Sequence, residues 1–345
     1  MHDLGWEFAQ KFYKTPLLLR GVIGLSAMIE LDRLTKRFGA LIAVDDVTMT
    51  VARGEVLGFL GPNGAGKSTT MKIVAGFLEP TSGGVTVCGH NIMADPVAVK
   101  RSIGYLPEGA PTYGDMTPTS YLGFIAEIRG FDGAEKRKRV GNAVEKLGLE
   151  RVLKQPIETL SKGYKRRVGF AQAILHDPEV LIMDEPTDGL DPNQKRQVRT
   201  LILEMASDKA IVISTHILEE VDAVCNRVVM IAGGRLLADG TPDSMRSRAR
   251  DHNALLLRVA PDRMQLARDR MQLIDGVETV EMVTRRDGAV LLRAPAGARA
   301  KTTEIVAALG TEGIVVEELI NEVGKLDDVF FDITANVAHR ETPYA

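Results

Sequence analysis

Gly61-Pro62-Asn63-Gly64-Ala65-Gly66-Lys67-Ser68-Thr69 follows the apolar run Val56–Leu60 and precedes a helix-prone stretch from Met71 to Phe77. Strand, glycine-rich turn and helix in that order predict an α/β, P-loop NTPase fold with a phosphate-binding loop at its centre. Glycines let the backbone curl so that successive N–H groups of residues 61–69 converge on a triphosphate, an approach that side chains would block. A helix opening at Lys67 adds the positive end of its macrodipole. Lys67 can then reach the β- and γ-phosphates, and the Ser68 hydroxyl can ligate Mg²⁺. Such a loop alone could serve a small GTPase, a kinase, a helicase or a transporter ATPase.

The 345 residues are 45% hydrophobic and 26% charged, an ordinary globular composition with room for two or three domains. A net charge of -3 gives no electrostatic footprint for nucleic acid, so nucleic acid is not an expected partner. Cys88 and Cys225 lie far apart with no metal-site spacing, and both read as small buried apolar residues in a reducing compartment. No run of about 18 apolar residues occurs, so the chain is not expected to span a membrane by itself. Residues 1–27 read as an N-terminal extension and a poor signal peptide, with a domain start at Met28. A membrane-surface helix presenting Leu4, Phe8 and Phe12 on one face is the alternative for that extension.

From Ile29 onward, short apolar runs alternate with helical stretches. Strands are predicted at Ile29–Leu31, Val47–Val51, Val56–Leu60, Val85–Cys88, Ser102–Leu106, Val180–Met183, Ile211–Ser214, Val228–Ala232 and Leu236–Ala238. Several are continuously apolar, as strands buried on both faces of a sheet are. Gly233-Gly234 marks a hairpin. Between about residues 107 and 165 the spacing turns helical, clearest at Tyr121–Arg129 and Ala134–Leu147, which predicts a helical insertion subdomain. The run Lys136-Arg137-Lys138-Arg139 reads as a solvated helix face. After a polar, Arg-rich boundary, residues 250–335 follow a βαββαβ order: strand Ala254–Val259, helix Asp262–Leu273, strands Val277–Thr284 and Ala289–Arg293, helix Arg299–Leu309, strand Ile314–Leu319. That order predicts a small C-terminal α+β, ferredoxin-like domain, with residues 336–345 as a tail.

A second motif narrows the chemistry. Val180-Leu181-Ile182-Met183-Asp184-Glu185-Pro186 is an apolar strand ending in two carboxylates. Asp184 is expected to hold Mg²⁺ directly or through water, and Glu185 to orient or deprotonate a hydrolytic water. Upstream lies Leu160-Ser161-Lys162-Gly163-Tyr164-Lys165-Arg166-Arg167, leading into a helical run. Ser161 and Gly163 at that helix start offer a hydroxyl, N–H groups and a dipole to an anion.

With these motifs in this order, residues 28–245 resemble the ATP-binding cassette (ABC) ATPases, whose signature usually reads Leu-Ser-Gly-Gly-Gln at the position of Leu160–Tyr164. The resemblance implies ATP and Mg²⁺ as ligands and a head-to-tail homodimer or pseudo-dimer of cassettes. In it, Ser161 and Gly163 meet the γ-phosphate of ATP bound to the opposite subunit. Phe38 falls where the family stacks an aromatic on adenine, a plain core Phe being the other reading. Asp191, in Asp188-Gly189-Leu190-Asp191, matches the loop that bridges the subunits, and His216, closing Ile213-Ser214-Thr215-His216, matches the switch histidine that senses the γ-phosphate.

Two departures stand out. Lys162 and Tyr164 replace the usual Gly and Gln of the signature, and Glu108, after Ser102–Pro107, replaces the usual Gln. A carboxylate at 108 can still accept from a Mg²⁺-bound water, and Lys162 adds positive charge on the γ-phosphate side. Both resemble the branch of ABC-2 exporter and gliding-motility ATPases. That branch implies an ATPase of the translocase class, bound on the cytoplasmic face of the membrane to separate permease subunits through the helical insertion and the Glu108 loop. The alternative is a cassette that drives a non-transport envelope or gliding-motility machine. A soluble ABC protein acting on ribosomes or DNA would carry two cassettes or a long coiled coil, and the chain has neither. The C-terminal domain reads as a dimerisation or regulatory appendage.

Overall fold

The computed structural model describes residues 27–109, 113–249, 251–277, 279–285 and 288–338. The candidate surface helix with Leu4, Phe8 and Phe12, and residues 339–345 of the tail, lie outside the described residues. The chain divides into two compact units, residues 1–236 and 237–345.

Two sheets build the first unit. An antiparallel sheet runs in the order β2 (Leu41–Ala52), β1 (Ala27–Phe38), β4 (Ser82–Val87), β5 (His90–Asn91). A six-stranded sheet has the order β10 (Arg235–Gly240), β9 (Arg227–Ala232), β3 (Val56–Leu60), β8 (Ala210–Thr215), β7 (Val180–Asp184), β6 (Ile103–Leu106). Strands β9, β3, β8, β7 and β6 run parallel to one another. Every residue of β3, β7 and β8 is buried, which is why they read as unbroken apolar runs. One core joins the two sheets: Ile29, Leu31, Val47 and Val85 from the first sheet with Phe59, Ile182, Val212 and Ile231 from the second, around Ile73 of α1 (Lys67–Val74). The expected α/β cassette is therefore what the chain builds.

Strands β1 and β2 are longer than the apolar runs predicted, because each carries exposed or half-buried residues between its buried ones. Register shifts between Leu31 and Leu34 and between Leu34 and Lys36 also interrupt the pattern. Chain reversal at Cys88, whose φ is 50°, ends β4 at Val87. Cys88 is consequently half-buried rather than buried, whereas Cys225 is buried. After α2 (Pro96–Ser102) and β6, the chain leaves the sheet for α3 (Pro118–Ile128) and α4 (Gly133–Leu147), the helical insertion. Asp132 precedes α4, and Gly148, in the left-handed region at φ 60°, ends it. The chain returns through α5 (Lys162–Ile174), and α6 (Pro192–Ala206) and α7 (Leu218–Val224) flank β8 in sequence.

The second unit takes in the end of β10 and then α8 (Pro242–Arg246). It then follows β11 (Leu255–Arg258), α9 (Met264–Gln272), β12 (Glu281–Thr284), β13 (Val290–Ala294), α10 (Thr302–Thr311) and β14 (Glu318–Asn321), closing with α11 (Leu326–Ala338). The sheet order β12-β13-β11-β14 is antiparallel throughout, the arrangement of a βαββαβ ferredoxin-like unit. Leu255, Leu257 and Leu292 pack with Ala267, Met271 and Ile305. Two predicted strands here are too long at their N-terminal ends. Val277 and Ile314 are buried in that core, but from turns closed by Val277 N–H to Ile274 and Ile314 N–H to Leu309, so apolar residues in turns mimic strand.

His176, just beyond α5, ties that helix to the sheet edge: its Nε2 donates to the Ile103 carbonyl at 3.0 Å. Arg129 at the end of α3 donates to Lys100 (2.6 Å) and to the same Ile103 oxygen (3.4 Å). Burial, then the nearby Arg129 charge, pulls the imidazole from 6.5 down to about 4. The unfolded chain therefore binds the proton first on acidification, and stability contributed by neutral His176 is lost as pH falls from 6.5 toward about 4. Urea unfolding between pH 7 and pH 4.5 is expected to show this loss, and His176→Gln to flatten it; an equal slope in the variant would assign the acid sensitivity to other groups.

Candidate functional site

Residues 61–66 leave the buried C-terminal end of β3 and enter α1. Gly66 is the N-cap at φ 103°, with no side-chain capping bond, and a Cβ there would strike the Ala43 carbonyl. Only glycine tolerates both the left-handed backbone and that close approach. Pro62, Asn63 and Gly64 form an exposed rim, Gly61, Ala65, Gly66 and Lys67 are buried, and Ser68 and Thr69 are half-buried. Lys67 Nζ donates to the carbonyls of Gly61 (2.7 Å) and Pro62 (3.0 Å), which holds the ammonium over the loop. Burial lowers its pKa, opposed by the charges of Glu185, Asp184 and Glu108.

The acids reach this loop because β7 lies beside β8, which lies beside β3. Asp184 is the last residue of β7, paired with Ser214, whose hydroxyl donates to Asp184 Oδ1. Its Oδ2 is buried with no hydrogen-bond partner among the described residues. A buried, unpaired carboxylate oxygen is costly to leave so and is the kind of atom a hard cation satisfies. Glu185 turns the chain out of the strand at φ 51°, a left-handed conformation rare for a residue with a Cβ. Its N–H donates to Ser214 O at 3.0 Å, and its Oε1 lies 2.8 Å from His216 Nδ1. His216 is half-exposed immediately after β8, and Glu108 is exposed just beyond β6.

Ser161, Gly163 and Asp191 form a second group. Ser161 caps α5, accepting from Tyr164 N–H at 3.4 Å. Asp191 caps α6 through a capping box in which Gln194 N–H donates to Asp191 Oδ1 at 2.9 Å. A Cβ on Gly163 would collide with the Gln194 side chain, so the two helix starts abut. Among the described residues no hydrogen bond or ion pair joins this group to the phosphate loop. Phe38 stands apart from both groups at the end of β1, 47% exposed, with Lys36 Nζ 5.1 Å from its ring centre. That exposure excludes the core-Phe reading.

Two buried charges escaped the sequence reading. Arg166 on α5 donates to the main chain around both acids. Glu220 on α7 accepts from Thr187, from Lys195 (3.1 Å) and from Thr215 (3.3 Å), joining the segment before Asp191 to the strand end before His216. The missed signal is a charge on an apolar helical stripe: Arg166 shares a face with Gly163 and Phe170, Glu220 with Val224.

Residues 44–188 match the family model described as "ABC transporter". The chain is 34% identical over 223 residues to the probable multidrug ABC transporter ATP-binding protein YbhF of Escherichia coli (strain K12). That match takes in 64% of this chain but only 38% of the relative's length. It is 32% identical over 332 residues to Nod factor export ATP-binding protein I of Cupriavidus pinatubonensis, covering 93% of this chain and 95% of that protein. Among solved structures, a dimeric ATP-binding cassette in a post-hydrolysis state bound to ADP and Pi shares its fold with a TM-score of 0.58 at 24% identity, over 62% of this chain and 98% of that one.

Asp191 has a structural duty that can be measured apart from any other. Asp191→Ala is expected to lower unfolding free energy by about 0.5–2 kcal/mol through the lost cap, while Asp191→Asn, an equally good cap, stays near wild type. Chemical denaturation of the three proteins checks this, and equal losses in both variants would mean that the charge, not the cap, stabilises α6.

Proposed function

Because this chain belongs to the ABC transporter ATP-binding proteins, we propose that it binds and hydrolyses ATP as the motor subunit of an exporter whose membrane-spanning subunits are separate chains. The observation that carries the reading is the convergence of Lys67, Asp184, Glu185 and His216 at one end of the parallel sheet, with Glu185 and His216 2.8 Å apart. In this reading, the N–H groups of residues 61–69 and the Lys67 ammonium bind the triphosphate, and Phe38 offers its exposed ring face to adenine. Glu185 takes the proton of the attacking water at Oε1 or Oε2. His216, oriented by Glu185, donates toward the γ-phosphate.

Asp184 Oδ2, the Ser68 hydroxyl and the Glu108 carboxylate would hold Mg²⁺, which supplies charge neutralisation to the phosphates when bound. The unpaired Asp184 oxygen supports that placement. Few protein ligands suffice, since Mg²⁺ keeps water and phosphate oxygens in its shell.

The separation of Ser161 and Gly163 from the phosphate loop supports a site completed by a second copy. Its α5 N-terminus would meet the γ-phosphate held by the first, and Asp191 would lie along the seam. Docking to membrane subunits fits the helical insertion, where α3 and α4 flank a groove of about 540 Å³ bordered by Phe124, Val140, Val144 and Leu153. Ile128, 65% exposed, extends this apolar surface. No helix among the described residues is long and apolar enough to cross a membrane, so in this reading the permease subunits hold the cassette to the cytoplasmic face.

Glu185→Gln is expected to keep ATP affinity, slow hydrolysis by about 10²-fold or more, and accumulate ATP-bound dimer on size-exclusion chromatography. Unchanged turnover would remove Glu185 from the role of base. Ser161→Arg is expected to leave ATP binding by the isolated monomer intact while abolishing dimer-dependent hydrolysis. Weakened monomer binding would instead place Ser161 in its own subunit's site.

A further inference from the structure

Arg166 is 6% exposed, and its guanidinium spends all five N–H groups on main-chain carbonyls. Nη1 donates to Pro107 (2.7 Å) and Gly109 (3.0 Å), on either side of Glu108. Nη2 donates to Asp184 and Glu185, and Nε to Pro186 at 3.3 Å. One side chain therefore holds two loops: that of Glu108, beyond β6, and that of the two acids, beyond β7. Among the described residues no carboxylate pairs with it, although Asp184, Asp188, Glu185 and Glu108 are near enough to stabilise its charge.

The backbone it grips is held only in part by its own hydrogen bonds. Glu185 sits at φ 51°, and a residue with a Cβ stays there only when its surroundings over-determine the conformation. Here the restraints are Glu185 N–H on the Ser214 carbonyl, Asp188 N–H on the Glu185 carbonyl at 3.2 Å, and Arg166 on the carbonyls of residues 184, 185 and 186. Arg166 stands on the same helix as Ser161, five residues or about 7.5 Å of helix rise further on. Any displacement of the α5 N-terminus is passed to the Glu185 turn through a rigid helix and a planar fork.

We propose that Arg166 is the positioning residue that couples the two halves of the composite ATP site. It makes the placement of the Glu185 carboxylate and of the Glu108 loop depend on where α5 sits, and hence on whether Ser161 has engaged the nucleotide of the other subunit. This rests on the ATPase reading given above. Arg166 touches neither nucleotide nor water in this role, so its loss affects turnover and not the affinity of one subunit for ATP.

The test compares Arg166→Lys, Arg166→Ala and wild type by steady-state ATP hydrolysis and by equilibrium binding of a fluorescent ATP analogue to the full chain. Lysine keeps the buried charge but has three donors on a point ammonium, too few for five carbonyls, so it preserves folding better than alanine and still breaks the fork. Both variants are expected to lose about 10²-fold in kcat, as for a misplaced catalytic group, with nucleotide affinity retained. Millimolar guanidinium is expected to restore turnover in Arg166→Ala but not in Glu185→Gln. Unchanged kcat in Arg166→Lys, or kcat and nucleotide affinity falling together, overturns the proposal. Should Arg166→Ala fail to fold, Arg166→Lys decides alone. A wild-type chain that binds no ATP or does not hydrolyse it sinks the ATPase reading itself, an outcome distinct from an active wild type with unaffected Arg166 variants.

Discussion

The pairing of Asp184 with Ser214 at the last rung between β7 and β8 is the constraint on which the site depends. In a parallel ladder, a shift of one residue would turn every side chain of β7 to the opposite face. The register that pairs Leu181 with Ile211, Ile182 with Val212 and Met183 with Ile213 is thus the same one that sets Asp184 against the Ser214 hydroxyl. The next residue, Glu185, is then carried out of the sheet beside His216, and the Glu185 N–H on Ser214 closes the turn. Which face each side chain takes is set by this ladder pairing, a choice that burial alone, being non-directional, leaves open in a strand covered on both faces.

Much of this was legible in the sequence because the sheet is covered on both faces. β3, β7 and β8 read as continuous apolar runs, and the chemistry sits where those runs stop: Gly61 after Leu60, Glu185 after Asp184, His216 after Thr215. The antiparallel sheet was less legible. β1 and β2 are one-sided and interrupted by register shifts, so only their most apolar segments stood out. In the second unit the βαββαβ order was readable, but Val277 and Ile314 lengthened the predicted strands because turn residues also fill the core there.

Connections between loops were the part that sequence could not supply. Glu220 gathers hydroxyls and an ammonium from three separate segments, at Thr187, Lys195 and Thr215, and nothing in the seven residues of α7 says which segments those are. What local sequence does disclose is an anomaly: a charge on a buried helical stripe must find partners, because leaving it unpaired in the interior is prohibitive. The existence of a buried polar junction was therefore inferable, but its members had to come from tertiary structure.

All of Arg166's acceptors are peptide carbonyls, and this has a consequence of its own. Carbonyls do not titrate, and a guanidinium keeps its proton throughout the range in which carboxylates and imidazoles change charge. A junction made with aspartate or glutamate would loosen on acidification and respond to each nearby charge that comes or goes. This one keeps the same donors and acceptors at every such pH, so the frame around the acids holds its shape while the groups it frames are free to exchange protons.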